Sequence, residues 1–254
     1  MYGLEKKLYF QLCKLRDEFN LQGIKAEFEA EGSSFKDLVR LRRLTDKAGI
    51  KLYIKIGGVE AIRDIKESIE LGVDGIIAPM VESKFGAKKF YEAIKKYYKE
   101  NKIHTTLNLE TKNAIDDIDE ILEYANNKFD NITIGRSDLS KSYFDENITP
   151  NSEFLFQKIE NISKKIQNYN LTLTMGGSVN SDTIKLLNNY PFLKSTLLKL
   201  ETRKVILLTN NFTNEALKEA LKFEELYILS KKEISDIYIN EEISRLIELK
   251  RRLR

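Results

Sequence analysis

Two carboxylates in this sequence, Glu110 and Asp138, each follow a short apolar run of the kind that forms buried strands. Glu110 ends the run TTLNLE, and Asp138 comes directly after ITIGRS. If these runs are adjacent strands of a parallel sheet, the two carboxylates can share one divalent cation. The chain contains only one histidine and one cysteine, so a zinc cage of cysteine and histidine is excluded and oxygen ligands predict Mg²⁺ or Mn²⁺.

Charged residues of two earlier strands are further candidates for this site. Lys55 ends the run KLYIK and precedes two glycines, which permit close approach of the backbone to a ligand. Glu27, Glu29 and Glu31 alternate along the first predicted strand, so we expect them on one side of it. Lys55 has two interpretations, a substrate contact or a structural ion pair with Glu29, and the sequence leaves both open.

The elements that position these residues are read from hydrophobic periodicity. Amphipathic helical patterns separate short apolar runs, which is typical of repeated βα units around a parallel sheet. With a length of 254 residues, the pattern predicts an α/β fold, a single-domain (β/α)8 TIM barrel over residues 1–254. An extra N-terminal helix is predicted at Leu4–Phe19, and the last barrel helix at Glu241–Leu253. The predicted strands are Ile24–Glu29, Leu52–Ile56, Gly75–Met80, Thr105–Leu109, Ile132–Gly135, Leu171–Met175, Thr196–Glu201 and Leu226–Leu229.

In a barrel of this kind the active site lies at the carboxyl ends of the strands. Glu110, Asp138 and Lys55 all fall there, whereas His104 precedes its strand and lies at the other end. Taken singly, Glu110 and Asp138 would more often be helix caps or surface acids, and it is their paired position that favours a functional site.

Composition excludes several classes of function. The 42 basic and 39 acidic residues interleave along the chain, which argues against a protein that binds nucleic acid or a membrane surface. The N-terminal stretch lacks the unbroken apolar core of a signal peptide or membrane span. With a single cysteine, Cys13, no intramolecular disulfide can form, and we expect a cytoplasmic protein.

Three runs carry a resemblance to a known family. In order and spacing, GVDGIIAPMVES, NLETKNAIDDIDEIL and IGRSDLS resemble the HpcH/HpaI aldolase and citrate lyase β-subunit family of pyruvate-binding barrels. The resemblance extends from about Ile24 to Ser178. It implies that Glu110 and Asp138 bind Mg²⁺ or Mn²⁺, and that the ion chelates the carboxylate and keto oxygens of pyruvate.

The resemblance also suggests how substrate is held. Backbone N–H groups of Gly135, Arg136 and Ser137 could meet the substrate carboxylate at the start of the next helical turn. Lys55 stands where the family usually has an arginine that contacts the keto oxygen. Lysine keeps the charge of that arginine but lacks its planar fork of donors.

One family feature is missing from the first strand. The family has an acidic cluster there, followed in the aldolases by a histidine used in acid–base chemistry, but this chain reads Glu27-Phe28-Glu29-Ala30. We hypothesise that Glu29 or Glu31 replaces the histidine and relays the proton through a water molecule.

These residues predict a metal-dependent carbon–carbon lyase or aldolase that acts on a small-molecule 2-oxo acid through its enolate. Two alternatives remain. One is a citrate-lyase-like acyl-coenzyme-A lyase, favoured by the absent histidine, and the other is a barrel that binds a 2-oxo acid or sugar acid without turnover. Members of the family are commonly hexameric or trimeric, so a homo-oligomer is compatible with the resemblance, but the sequence leaves the oligomeric state open.

Overall fold

Eight short strands close into a barrel within the residues described by the computed structural model, 3–99 and 101–253. Each strand is hydrogen-bonded to its neighbours in chain order, and the last returns to pair with the first. Most strand residues are buried, as expected for a sheet enclosed by helices. The strands are β1 (Leu21–Glu27), β2 (Leu52–Lys55), β3 (Gly75–Ala78), β4 (His104–Leu109), β5 (Asn131–Gly135), β6 (Thr172–Gly176), β7 (Leu197–Glu201) and β8 (Val205–Leu208).

Amphipathic helices cover the outside of the barrel. In the helix after β1, for example, Leu38, Leu41 and Leu44 are buried, and Ser34 and Asp37 form a capping box at its start. The helices are α1 (Gly3–Phe19), α2 (Phe35–Ala48), α3 (Ile62–Leu71), α4 (Lys84–Tyr98), α5 (Lys112–Asp116), α6 (Ile118–Ala125), α7 (Arg136–Lys141), α8 (Glu153–Ile166), α9 (Ser181–Leu187), α10 (Pro191–Thr196) and α11 (Asn214–Arg252), with a 3-10 turn at Thr209–Asn211.

The closed eight-stranded α/β barrel confirms the predicted fold class, but its last strand runs in the opposite direction. Strands β1 to β7 pair in parallel, whereas β8 is antiparallel to both β7 and β1. Only residues 202–204 separate β7 from β8. A parallel crossover needs a dozen or more residues, and therefore such a short connection can only form a hairpin.

The predicted eighth strand at Leu226–Leu229 is wrong. These residues lie within α11, where Ala220, Phe223 and Tyr227 share one buried face at helical spacing. The eighth strand is instead Val205–Leu208, an apolar run that lies between the predicted seventh and eighth strands. A four-residue apolar run is compatible with a strand or a helix, and periodicity alone could not separate the two here.

The prediction of a separate last barrel helix at Glu241–Leu253 is also wrong. Those residues form the end of α11, and the buried residues of that helix stop at Ser230. Beyond Lys231, which pairs with Asp37 near the start of α2, the side chains are largely exposed. The part of α11 that covers the barrel is therefore its first half.

The extra N-terminal helix is confirmed as α1. It buries Leu8, Leu12 and Leu15 and packs along α11, where Gln11 donates to the Glu219 carboxylate at 2.6 Å. The predicted single domain spans residues 1–254, of which Met1, Tyr2, Glu100 and Arg254 lie outside the described residues. In the described ranges, no helix has an apolar stretch of the length needed to cross a bilayer.

Candidate active site at the carboxyl ends of the strands

A cavity of about 320 Å³ opens at the carboxyl ends of the strands. It brings together most of the predicted site residues, since Glu29, Lys55, Gly135, Ser137, Glu110 and Asp138 all border it. Two predicted residues, Glu31 and Arg136, are absent from its described lining. The other residues of the lining are Lys25, Glu27, Ala30, Asn108, Gly177, Ser178, Val179, Glu201, Thr202, Arg203, Leu221 and Glu224.

Glu110 is a buried carboxylate on the cavity wall. It follows β4 directly, is 3% exposed and accepts a hydrogen bond from the Met80 backbone N–H at 3.1 Å. Burial raises the pKa of Glu110, and the positive charge of Lys55 opposes that rise. Gly135 lies beside it, and a Cβ at that position would overlap the Glu110 carboxylate, so a side chain there would displace the carboxylate.

Lys55 joins two of the predicted acids. It is the last residue of β2, and its Nζ lies 2.8 Å from Glu29 and 3.2 Å from Glu110. Burial disfavours the charged amine, but Glu110 and Glu29 outweigh this effect and hold the pKa of Lys55 above its ordinary value. The lysine is therefore both a structural ion-pair partner and a charge at the cavity wall.

Asp138 approaches the cavity from the first turn of α7. Its side chain is about half exposed and lies 3.4 Å from Lys141 Nζ. Asn108, two residues before Glu110 on β4, is buried, and its Oδ1 has no hydrogen-bond partner in the part of the chain that the structure describes. The cavity thus offers oxygen donors from Glu110, Asp138 and Asn108.

This donor set fits a divalent cation that keeps open coordination positions. Carboxylate and amide oxygens are ligands that Mg²⁺ and Mn²⁺ accept, and the unpartnered Asn108 oxygen is available for a cation or its bound water. No cluster of three or more histidine, cysteine, aspartate or glutamate side chains suited to a metal occurs within residues 3–99 and 101–253. The candidate donors are therefore two carboxylates and one amide oxygen.

The acids of the first strand do not stay on one side as we expected. Strand β1 ends at Glu27, and the chain bends before Glu29 and Glu31. Glu29 turns towards Lys55, whereas Glu31 forms an ion pair with the buried Lys204. Alternation along a strand holds only while the strand continues, which explains why the prediction fails for Glu31.

A second buried ion group lies deeper in the cavity. Lys25 Nζ is 2.5 Å from Glu201 and 3.8 Å from Glu27. Burial opposes the charge of Lys25, but Glu201 and Glu27 hold its pKa above the ordinary value. The structure shows that Glu201 faces the cavity.

The Arg136 side chain points away from the cavity. It is fully buried and donates to the backbone carbonyls of Gly176, Gly177 and Pro150 at 3.1, 2.7 and 2.9 Å. Desolvation lowers the pKa of Arg136 to about 9. The guanidinium therefore fastens the loop after β6 to the start of α7, and only the backbone of Arg136 remains a candidate for contact with substrate.

The loop after β6 leaves space beside the backbone of α7. Gly177 has a φ of +81°, and a Cβ there would come within 2.5 Å of the Ser137 nitrogen and 2.8 Å of the Arg136 nitrogen. The Ser137 hydroxyl meets the Ser178 hydroxyl at 2.8 Å. Glycine at this position thus keeps open the space beside two backbone nitrogens that we predicted to meet a substrate carboxylate.

Sequence reasoning missed Asn108. Asn108 could have been found, because it lies two residues before Glu110 on a strand and so shares its side of the sheet. Ser178 ends the run Met175-Gly176-Gly177-Ser178, whose glycines are compatible with close approach of a ligand or with a plain turn, and the structure places Gly177 and Ser178 in the lining.

The chain is similar to known proteins at two levels. Residues 37–168, just over half of the chain, match the sequence model of a family described as HpcH/HpaI aldolase/citrate lyase. This range includes Lys55, Glu110 and Asp138 but ends short of Ser178 and begins after Glu29. No curated protein matches the chain significantly.

Solved structures resemble the barrel at low sequence identity. Citrate synthase SbnG has a TM-score of 0.59 at 17% identity, over 73% of this chain and 78% of that one. An HpcH/HpaI aldolase from Desulfitobacterium hafniense DCB-2 has a TM-score of 0.59 at 16% identity, over 76% of this chain and 82% of that one. An HpcH/HpaI aldolase/citrate lyase family protein from Burkholderia cenocepacia J2315 has a TM-score of 0.60 at 11% identity, over 86% of this chain and 89% of that one. At such identities the likeness establishes the fold alone.

Proposed function

Because this chain belongs to the HpcH/HpaI aldolase/citrate lyase family, we propose that it is a divalent-metal-dependent carbon–carbon lyase or aldolase acting on a 2-oxo acid such as pyruvate. The observation that carries the proposal is the wall of the cavity, where the buried Glu110 carboxylate, Asp138 and the unpartnered Asn108 oxygen border the same space as Lys55. A cation and a small anion can bind side by side in such a space.

Glu110 and Asp138 would hold Mg²⁺ or Mn²⁺. When bound, the ion would act as a Lewis acid that stabilises negative charge developing on the substrate oxygens. The role of Glu110 in this chain is to present a carboxylate whose position Gly135 and the Met80 N–H define. Asp138 is more exposed than Glu110, so solvent reaches it more readily.

Lys55 would bind the anionic substrate and orient it. Its ammonium group is held between Glu29 and Glu110 at 2.8 and 3.2 Å, so it is already fixed before substrate arrives. A preorganised charge of this kind stabilises developing negative charge without reorganising during the reaction. The backbone of Gly135, Arg136 and Ser137, opened by Gly177, would receive the substrate carboxylate.

Glu29 is the residue we propose for proton transfer. It borders the cavity and contacts Lys55, whereas Glu31 is engaged by Lys204 away from the described lining. Glu29 would hold a water molecule or accept a proton directly in place of the family histidine that this chain lacks. Of the two glutamates predicted as bases, Glu29 is therefore the one that we retain.

A second cavity of about 830 Å³ adjoins the first and shares Ser137, Asp138, Ser178 and Arg203 with it. Phe144, which is 97% exposed, lies on its rim. The space is large enough for the part of a substrate that leaves or accepts the 2-oxo acid. Its size favours the second candidate function, a citrate-lyase-like lyase in which that part is an acyl-coenzyme-A thioester.

The test is an activity assay with two substrate classes and controlled metal. Purified protein is incubated with a 4-hydroxy-2-oxo acid, and pyruvate release is followed with Mn²⁺, with EDTA, and after Mn²⁺ is added back. We expect release that EDTA abolishes and Mn²⁺ restores. Thioester cleavage without pyruvate release would favour the acyl-coenzyme-A lyase. Pyruvate binding without turnover of either class would favour a binding barrel, and absence of both binding and turnover would overturn the proposal.

A further inference from the structure

A third cavity, of about 620 Å³, lies at the opposite end of the barrel, at the amino ends of the strands. The end of α4 forms one side of it, and the turns before β5 and β6 form another. His104, the first residue of β4, and Lys199 of β7 also line it. The candidate active site shares no residue with the described lining of this cavity.

The lining of this amino-end cavity is strongly basic. Its lysines are Lys95, Lys99, Lys102, Lys128 and Lys199. None of them has a carboxylate within 4 Å in the part of the chain covered by residues 3–99 and 101–253. The one described acid of the lining is Asp130, whose carboxylate already accepts from the Thr105 N–H at 2.8 Å and the Thr105 hydroxyl at 3.1 Å. The cavity therefore carries excess positive charge.

Two buried polar atoms in the same wall have no partner among the described residues. They are the Tyr98 hydroxyl and Nδ1 of His104. Burial, assisted by the charge of Lys199, lowers the pKa of His104 to about 4, so the ring is neutral and can donate one hydrogen bond. Buried polar atoms are normally paired, so this wall is suited to a bound ligand.

Aromatic side chains complete the lining. Tyr91, Phe129 and Tyr169 border the cavity together with the lysines. Phosphate groups are bound by lysine as a point charge, and aromatic side chains provide surface for a planar ring. Several separate lysines around one space match the several charges of a diphosphate better than the single charge of a monocarboxylate.

We propose that the amino-end cavity binds a phosphate-bearing small anion, with Lys128 and Lys199 contacting the phosphate groups and Tyr98 and His104 donating hydrogen bonds to them. This site is independent of the proposed 2-oxo-acid chemistry, because its residues lie at the other end of the barrel.

The test is calorimetric titration with pyrophosphate and with ADP in EDTA. The titrations use a Glu110→Gln, Asp138→Asn background, so that phosphate cannot bind through a cation at the other cavity. We expect saturable binding that Lys128→Ala and Lys199→Met each weaken about tenfold, the loss of one charge-assisted contact. Lys96→Ala is the matched control, since Lys96 is a neighbour of Lys95 on α4 but is not part of the described lining. The affinity of this variant for pyrophosphate and ADP should stay within about twofold of the wild-type value.

The two probes separate two sources of phosphate. Tighter binding of ADP than of pyrophosphate would indicate a nucleotide whose base contacts the aromatic wall, and equal binding would indicate that the phosphate groups alone are recognised. Either result supports the site if the binding is weakened by Lys128→Ala and by Lys199→Met. Absence of binding, or binding unchanged in both lysine variants, would overturn it. Thermal melting of each variant checks that the fold is retained, and Tyr98→Phe tests the hydroxyl without removing the ring.

Discussion

Lys55 Nζ lies 3.2 Å from a carboxylate oxygen of Glu110, the residue that we propose as a metal ligand. The same amine is 2.8 Å from Glu29. A lysine and a divalent cation that share one carboxylate repel each other. A substrate anion bound between the lysine and the cation would offset this repulsion. The relationship makes Lys55 the residue through which metal binding, substrate binding and stability are coupled.

Lys55→Met should separate these roles. Removing the ammonium group leaves the buried Glu110 and the partly exposed Glu29 without their counter-charge, which should lower the stability of the metal-free protein by on the order of 3 kcal/mol. It should also raise Mn²⁺ affinity several-fold, because the competing charge is gone, while 2-oxo-acid turnover is lost. Urea unfolding with and without Mn²⁺ measures both effects. Lys55→Arg is the control that keeps the charge and should restore stability. Unchanged stability in Lys55→Met would show that the ion pairs have no energetic role.

Glu110→Gln and Asp138→Asn should each abolish Mn²⁺ binding while leaving the barrel folded, because each amide lacks the negative charge of the carboxylate. Gly135→Ala should weaken Mn²⁺ binding as well, although no ligand is removed, because its methyl group would displace the Glu110 carboxylate. Calorimetric titration of Mn²⁺, with and without pyruvate, measures these effects. Wild-type affinity in Glu110→Gln or Asp138→Asn would mean that the ligands are misassigned.

Glu29→Gln and Glu31→Gln should have different effects. In Glu29→Gln we expect turnover to fall about 100-fold or more, since the amide keeps the shape of the side chain but accepts no proton, with a much smaller change in pyruvate affinity from the weaker contact to Lys55. Glu31→Gln should instead lower stability, because it removes the ion-pair partner of the buried Lys204. Steady-state kinetics and thermal melting of both variants test this. A larger loss of turnover in Glu31→Gln than in Glu29→Gln would contradict our assignment.

His104, the single histidine of the chain, should make the protein less stable in weak acid. Burial lowers its pKa to about 4, with Lys199 and Lys51 adding to the effect and Asp130 opposing it. The unfolded chain takes up the proton near pH 6.5, so it binds more protons than the folded protein between about pH 4 and 6.5. The stability that the neutral ring provides is therefore complete above that range and declines as pH falls through it.

The change attributable to His104 between pH 7 and pH 5 should be about 2 kcal/mol. Glutamine does not titrate. Between pH 7 and pH 5 the unfolding free energy of His104→Gln should therefore fall by about 2 kcal/mol less than that of the wild type. Urea unfolding at pH 5 and pH 7 measures the difference. Identical pH dependence of the two proteins would show that His104 titrates normally in the folded state.

Much of the barrel could be predicted from local pattern. The strands around Lys55, Glu110 and Gly135 were found because a buried strand bounded by amphipathic helices leaves a clear periodic signal. The same signal was insufficient at the end of the chain, where Leu226–Leu229 continues a helix and Val205–Leu208 closes the barrel. Which short apolar run becomes a strand depends on which one can pair with β7 and β1, and that is a property of the assembled sheet.

The sequence by itself determined which side chains reach the carboxyl ends of the strands, because strand ends and their following residues are fixed by local order along the chain. Only the tertiary structure decided their partners. It paired Lys55 with both Glu29 and Glu110, directed Glu31 to Lys204, and buried the Arg136 side chain behind the loop after β6. These contacts join segments that are distant in sequence, and the low local dielectric that gives them their strength exists only after the barrel has closed.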